Sequence, residues 1–205
     1  MVARDPEGTK RRILAAAERE FSAKGISGGR VAAIADRAKV NKRMLYHYFG
    51  SKDGLFRALL GLRLADRADK MRASALRTPT ERLLARAEHF GKDRVHVRLL
   101  MWEALEAGRR TAELEERREI YEAIIDEVRR DQEAGDVPPD LDPAQWALTE
   151  LALTMFPAAF PQVTKMMTGK SPSGPQFVED RAEFLRRYQA HLAGRTGTGA
   201  RRAGV

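Results

Sequence analysis

The chain has 205 residues, 43% of them hydrophobic, so its composition excludes a wholly disordered protein and allows a buried core. It contains no cysteine, which excludes disulfide bonds and thiolate metal sites, and its formal net charge is +8. The polar start of the chain and the lack of an uncharged apolar run of about 20 residues predict neither a secretory signal nor a membrane span, so we expect a soluble, cytoplasmic protein.

The positive charge is concentrated at the two ends of the chain. Residues 1–52 carry 12 lysines and arginines against 5 acidic residues, residues 53–193 carry 22 against 24, and residues 194–205 carry three arginines and no acid. A basic module on a nearly neutral body indicates a polyanionic partner for that module. A basic surface that serves only solubility is the alternative that charge alone leaves open.

Apolar residues recur at helical spacing between capping residues in the first 76 positions, and this pattern predicts four helices. We expect the first from a Thr9 cap to Gly25, the second over 31–38, the third after an Asn41 cap, and the fourth from Ser51 to about residue 76.

The rest of the chain also reads as helix, with no sustained β-type alternation and no hairpin turn, so the predicted fold class is all-α. We expect further helices from Thr80 to about residue 91, over 94–107, over 111–133, from Pro143 with a kink or restart at Pro157 and Pro161, and over 177–192. The glycine- and arginine-rich tail 194–205 is predicted to be disordered.

The second and third helices are the candidate functional element. They are short, a tight turn at Lys39 and Val40 separates them, and the third carries Leu45 and Phe49 on its inner side. This spacing favours a helix-turn-helix, in which the second helix of the pair enters the DNA major groove. Its outer face and ends then hold hydrogen-bond donors and an apolar group suited to bases and phosphates: Asn41, Lys42, Arg43, Met44, His47 and Tyr48. A solvated helix face is the alternative.

The order of four segments, "ILAAAEREFSAKG" (13–25), "VAAIADRAKV" (31–40), "LYHYF" (45–49) and "SKDGLF" (51–56), resembles the tetracycline-repressor (TetR) family of bacterial transcription regulators. The resemblance implies groove-reading roles for Asn41, Lys42, Arg43 and Met44, and phosphate contacts for Arg30, Tyr46, Tyr48 and Lys52. Arg30 stands where the family often has threonine or serine, and Lys39 stands where glycine is usual. His47 lies one position before the place of the family's histidine.

The resemblance also implies two domains. A long helix joins a helix-turn-helix domain over 1–52 to a helical effector-binding and dimerisation domain over 53–193. We expect a small-molecule effector between the fourth and eighth helices, with His96, Met101, Trp102, Leu105, Met155, Phe156 and Phe160 as pocket candidates. Plain core packing is the alternative for such residues. We expect a homodimer seam that contains Leu148, Leu151, Met155, Phe184, Leu185 and Tyr188.

The predicted function is that of a ligand-responsive repressor that binds a palindromic double-stranded operator as a dimer. An enzyme is disfavoured, because the four histidines lack metal-site spacing and the chain has no cysteine nucleophile and no G-x-S-x-G elbow. We expect no cofactor. A helical architectural DNA-binding protein without a ligand remains the alternative.

Overall fold

The computed structural model describes the backbone of residues 5–73, 78–106 and 115–199, and the side chains of 5–66, 78–106 and 118–192. These residues form helices and contain no strand, which confirms the all-α prediction. The helices are α1 Pro6–Gly28, α2 Val31–Ala38, α3 Lys42–Phe49, α4 Lys52–Ala73, α5 Pro79–Lys92, α6 Arg94–Glu106, α7 Glu115–Glu133, α8 Pro143–Ala159, α9 Pro161–Thr168 and α10 Pro175–Gly199.

Helix α1 begins earlier than expected. Its cap is Asp5, whose carboxylate accepts a hydrogen bond from the Gly8 N–H at 2.8 Å, and Pro6 occupies the first turn. The prediction of a Thr9 cap is wrong, because the Thr9 hydroxyl donates back to the Asp5 carbonyl at 2.9 Å from inside the helix. The expected stop at Gly25 is present as a kink, with φ 72° and ψ −178°, after which one short turn continues to Gly28.

Helices α2 and α3 form the predicted helix-turn-helix. Lys39 ends α2 in the left-handed conformation, with φ 55° and ψ 47°, and the Val40 N–H donates to the Ala35 carbonyl at 3.0 Å. A lysine in this conformation costs about 1 kcal/mol relative to glycine. The tight turn therefore exists as the spacing predicted, despite the missing glycine.

One apolar core holds α1 to α4 together. Leu45 is fully buried, and the Phe21 and Phe56 rings meet edge to face with centroids 5.4 Å apart. The buried side chains of these helices include Ile13, Ala17, Phe21, Ile34, Ala35, Leu45, Leu55, Phe56 and Leu59.

The later helices follow the predicted order with shifted ends. Helix α5 starts at Pro79 rather than Thr80, because Thr78 and Glu81 form a reciprocal capping box. Helix α8 begins at Pro143 as expected, with Asp142 as its cap, and α9 restarts at Pro161. Helix α10 runs from Pro175 to residue 199, so residues 194–199 of the tail predicted to be disordered are helical. Residues 111–114 of the predicted seventh helix and residues 200–205 of the tail lie outside the described residues.

The chain divides into two compact units. The first contains residues 1–68 with 98–116, and the second contains 69–97 with 117–205. The expected boundary after residue 52 differs from this division, because α4 contributes Leu55, Phe56 and Leu59 to the core of the first unit. In the second unit, α5 packs against α8 and α10, and Arg86 of α5 forms an ion pair with Glu150 of α8 at 3.0 Å.

No helix within the described ranges is both long and apolar enough to cross a membrane.

Candidate nucleic-acid interface

Helix α3 presents one face to the core and the opposite face to solvent. Leu45 anchors the inner face, and Met44 and Tyr48 are half-buried at its edges. The exposed side chains are Lys42, Arg43, Tyr46 and His47. The face therefore offers two cations, a phenol and an imidazole on one short rigid helix, which suits contacts with base edges and phosphates.

Asn41 fixes the start of this helix. Its side-chain oxygen accepts a hydrogen bond from the Met44 N–H at 2.9 Å, which is the predicted N-cap. The amide nitrogen of the same side chain still has two protons to donate. Asn41 thus has a structural role in addition to the base contact expected of it.

Arg30 and Tyr48 lie where the sequence placed them, at the start of α2 and on α3. The Arg30 side chain is exposed and makes no capping bond, while its backbone N–H donates to Glu20 at 3.2 Å. Lys10 of α1 holds its ammonium 5.9 Å from the centroid of the Tyr48 ring. Lys10 of α1 and Arg30 at the start of α2 thus add cationic groups to the aromatic Tyr48 of α3.

Lys52 is tied to the protein itself. Its ammonium donates to the Ser27 carbonyl at 3.2 Å and to the Gly29 carbonyl at 3.3 Å, so it links the start of α4 to the end of α1. One of its three protons remains for a phosphate. The sequence alone gave no sign of this second role.

Glu20 is a buried acid that sequence reasoning missed. Its side chain is 3% exposed, and Lys24 lies 2.8 Å and Arg37 3.7 Å from its carboxylate oxygens. The hydrogen bond from Lys24, together with the bond from the Arg30 N–H and the charge of Arg37, holds the pKa of Glu20 below its usual range. Glu20 therefore stays charged and ties α1 to the start of α2.

Trp102 and Glu106 of α6 hold the kink of α1. The Trp102 indole N–H donates to the Ser22 carbonyl at 3.3 Å, and its ring lies so close to Gly25 that a Cβ there would be 2.7 Å from it. Glu106 accepts hydrogen bonds from the N–H groups of Ile26 at 3.0 Å and Ser27 at 3.1 Å, and from the Ser27 hydroxyl at 3.0 Å. We call these two residues the kink clamp. Glu106 is missing from the predicted site because its partners lie about 80 positions away in sequence.

A cavity of about 710 Å³ lies in the second unit, between α5, α8 and α10. Half of the residues that line it are apolar, namely Leu84, Ala85, Ala87, Pro157, Ala158, Pro172, Phe177, Val178 and Ala182. Its charged lining residues are Glu81, Glu88, Lys92, Arg94, Arg181 and Arg186.

The structure does not bring the predicted pocket residues to this cavity. Trp102 belongs to the kink clamp, and Leu105 is 75% exposed. His96 is buried, and its ring stacks on Phe90 with centroids 6.4 Å apart. The remaining candidates, Met101, Met155, Phe156 and Phe160, are half-buried or exposed and do not line it either. The pattern of aromatic and methionine residues does not point to this cavity, because such a pattern marks packing as readily as a ligand site.

The predicted dimer residues divide into two groups. Leu148 and Phe184 are large apolar side chains exposed to solvent, and Leu151, Met155 and Tyr188 are half-buried. Leu185 is 0% exposed and packs inside its own protomer, so its placement in the seam is wrong. The step of one residue from Phe184 to Leu185 turns the side chain by about 100° around the helix, from the outer face to the core.

The described residues contain no group of three or more histidines, cysteines and carboxylates that could hold a metal ion.

Comparison with known proteins agrees with this geometry. Residues 13–59 match the family "Bacterial regulatory proteins, tetR family", and residues 80–187 match "Tetracyclin repressor-like, C-terminal domain". The HTH-type transcriptional repressor SCO4008 of Streptomyces coelicolor is 33% identical over 185 residues, which are 88% of this chain and 94% of that repressor. The repressor NicS of Pseudomonas putida is 47% identical over 58 residues, 28% of this chain and 27% of NicS.

Among solved structures, the putative transcriptional regulator SCO4942 from Streptomyces coelicolor superposes with a TM-score of 0.67 at 26% identity, covering 90% of this chain and 97% of that one. The matched families and the named repressors are DNA-binding regulators rather than enzymes. The helix-turn-helix, the helical second unit and these matches agree, and the chain belongs to the TetR family of bacterial transcription regulators.

Proposed function

We propose that the protein is a dimeric repressor that binds a palindromic operator and leaves it when a small molecule occupies the second unit. The observation that carries the proposal is the outer face of α3, where Lys42, Arg43 and Tyr46 are exposed on a helix anchored by Leu45. A short, capped helix with this face fits the major groove.

The side chains of this face divide into two roles. Arg43 reads guanine through its fork of donors, while Lys42 and Met44 contact neighbouring base edges. Arg30, Tyr46, Tyr48 and Lys52 contact phosphates and set the register, and His47 lies between the two groups. Asn41 caps α3 and adds an amide donor at the edge of the groove.

Dimerisation follows from the exposed apolar residues of α8 and α10. Leu148 and Phe184 are each at least half exposed, and burying them against a second copy removes apolar surface from water. A two-fold dimer places two α3 helices on half-sites about one DNA turn, or a multiple of it, apart. Because chromosomal DNA is the partner, we expect the protein to act in the cytoplasm.

The cavity of the second unit is the proposed effector site, and it favours the regulator over an architectural protein without a ligand. A volume of about 710 Å³ is within the range of small-molecule pockets, roughly 300–1,000 Å³. A ligand there releases DNA only if it binds the DNA-incompetent arrangement more tightly than the competent one. The coupling expected for such a device is about 5- to 150-fold in DNA affinity.

Selection of bound duplexes from a random DNA pool tests the proposal. We expect enrichment of a palindrome whose half-sites are spaced by a whole number of DNA turns. A pool that stays random after several rounds, while the protein still retains DNA, would identify sequence-independent binding and therefore the architectural alternative.

A further inference from the structure

We propose that the cavity between α5, α8 and α10 binds an apolar small molecule that carries a carboxylate, and that Arg181 is the residue that anchors this anionic group. The inference names the chemical class of the effector. It rests on the proposed function only for the regulatory consequence, since the binding itself is tested without DNA.

The walls of the cavity favour an apolar molecule. Its apolar part is formed by Leu84, Phe177 and Val178, by alanines of α5, α8 and α10, by Pro157 of α8, and by Pro172 in the loop before α10. A ligand that covers these side chains removes their apolar surface from water, which favours binding.

Some of the positively charged side chains that line the cavity have no carboxylate partner among the described residues. Glu81 is engaged in the capping box with Thr78, and Glu88 forms an ion pair with Lys92. Arg186 pairs with Glu183 at 3.4 Å. Arg94 and Arg181, by contrast, form no ion pair with any residue that the structure describes. The two carboxylates of the lining are therefore already in use, while two guanidinium groups are not neutralised.

Arg181 is the better anchor of the two, because its guanidinium is held in place by neutral groups. Its Nη2 donates to the Leu153 carbonyl at 2.7 Å, and its carbon Cζ lies 5.1 Å from the centroid of the Phe184 ring. Its Nε–H is buried and has no hydrogen-bond partner among the described residues. Neither a carbonyl nor an aromatic ring neutralises the positive charge.

Burial therefore acts on this charge without compensation. It lowers the pKa of Arg181 below the usual value of an arginine. Arg181 is a half-buried cation, and some of its N–H groups have no hydrogen-bond partner among the described residues. An anion that accepts two hydrogen bonds at once stabilises such a cation most. A carboxylate matches the planar fork of a guanidinium in this way.

Binding of matched ligands to the full chain tests the ligand class. Decanoate, 1-decanol and decylammonium, all below their micellar concentrations, share one apolar body, and 4-phenylbutyrate and 4-phenylbutan-1-ol form a second matched pair. We expect isothermal titration to show at least one acid binding roughly 10- to 100-fold more tightly than its alcohol, with the ammonium weakest. Equal affinities of acid and alcohol in both series, or no acid binding below about 1 mM, would overturn the proposal.

Variants test the anchor. Arg181→Met should abolish the preference for the acid and leave the alcohol's affinity within about two-fold, because only the charge-assisted hydrogen bonds are lost. Arg187→Met is the matched control, since Arg187 lies on the same helix, pairs with Glu183 at 2.7 Å and does not line the cavity. Unchanged acid affinity in a folded Arg181→Met protein, checked by circular dichroism and melting, rules Arg181 out. Should Arg181→Met fail to fold, Arg181→Lys decides instead, with a reduced acid preference expected and an unchanged one contradicting the anchor.

The same ligands separate this inference from the proposed function. An acid that binds through Arg181 but leaves operator affinity unchanged supports the ligand class and contradicts the regulation. A neutral molecule that binds the cavity and releases the operator supports the regulation and contradicts the ligand class.

Discussion

Arg43 is exposed on α3, two residues before the buried Leu45 that fixes the helix on the core. We expect Arg43→Ala to weaken operator binding by about 1–3 kcal/mol and binding to scrambled DNA by less, because a bidentate contact to guanine carries sequence information. Fluorescence anisotropy on both duplexes measures the two losses. Arg19→Ala, which removes an exposed arginine of α1, serves as the control. Equal losses on the two duplexes would show that Arg43 does not read bases.

Asn41 caps α3 and is also proposed to contact a base. Two substitutions test these roles independently. Asn41→Ser keeps a capping oxygen but removes the amide, so we expect a nearly unchanged melting temperature and weaker operator binding. Asn41→Ala should also lower the free energy of unfolding, by about 0.5–2 kcal/mol, because the Met44 N–H loses its partner. Full operator affinity in Asn41→Ser would mean that the residue only caps the helix.

Lys52 is expected to contact a phosphate while its ammonium holds the carbonyls of Ser27 and Gly29. Lys52→Ala should lower the slope of log affinity against log salt by about one, equally on operator and scrambled DNA. The salt slope is the decisive measurement, because affinity alone also falls when α1 and α4 loosen. A slope that does not change would restrict Lys52 to its structural role.

At the scale of the elements, the kink of α1 depends on α6. Gly25 has φ 72°, and an added Cβ would meet the Trp102 ring, so Gly25→Ala should lower the free energy of unfolding by at least about 1 kcal/mol. Gly61→Ala in α4 is the control, because an added Cβ there meets nothing within 4 Å beyond its chain neighbours and the backbone of its own helix, and we expect it to be neutral or stabilising. Chemical denaturation measures both, and equal effects would contradict the role of the clamp.

The kink clamp also changes what is expected of Trp102 itself. A pocket role predicted that Trp102→Ala would alter ligand affinity and leave DNA binding intact. Because the indole lies against Gly25 and bonds to the Ser22 carbonyl, we expect Trp102→Ala to lower stability and DNA affinity without any ligand. Glu106, whose carboxylate accepts three hydrogen bonds from the turn after Gly25, holds the same segment.

At the scale of the whole molecule, the proposed dimer depends on large apolar residues that are exposed to solvent in a single chain, such as Leu148 and Phe184. Leu148→Asp should yield a folded monomer with little operator affinity, because a carboxylate cannot be buried in an apolar seam without a partner. Leu185→Asp should instead unfold the protein, since Leu185 is 0% exposed. Sedimentation and circular dichroism distinguish the two outcomes. A dimer that survives Leu148→Asp would place the seam elsewhere.

The sequence by itself determined the fold class, the positions of α2 and α3, and the cap at Asn41, because a cap or a helical repeat involves residues three or four positions apart. The outward face of α3 followed from the same periodicity. Only the tertiary structure decided which side chains meet across long distances in sequence. It joined Lys52 to Ser27 and Trp102 to Ser22, and turned Leu185 inward.

The cavity also depended on the tertiary structure, because most of its walls come from α5, α8 and α10, which are far apart in the sequence. Aromatic and methionine patterns indicate that a residue is buried, but they do not say whether a side chain or an empty space lies beside it. That difference depends on how α5, α8 and α10 pack. The charge of Arg181 likewise became informative only when its neighbours proved to be a carbonyl and a ring rather than a carboxylate.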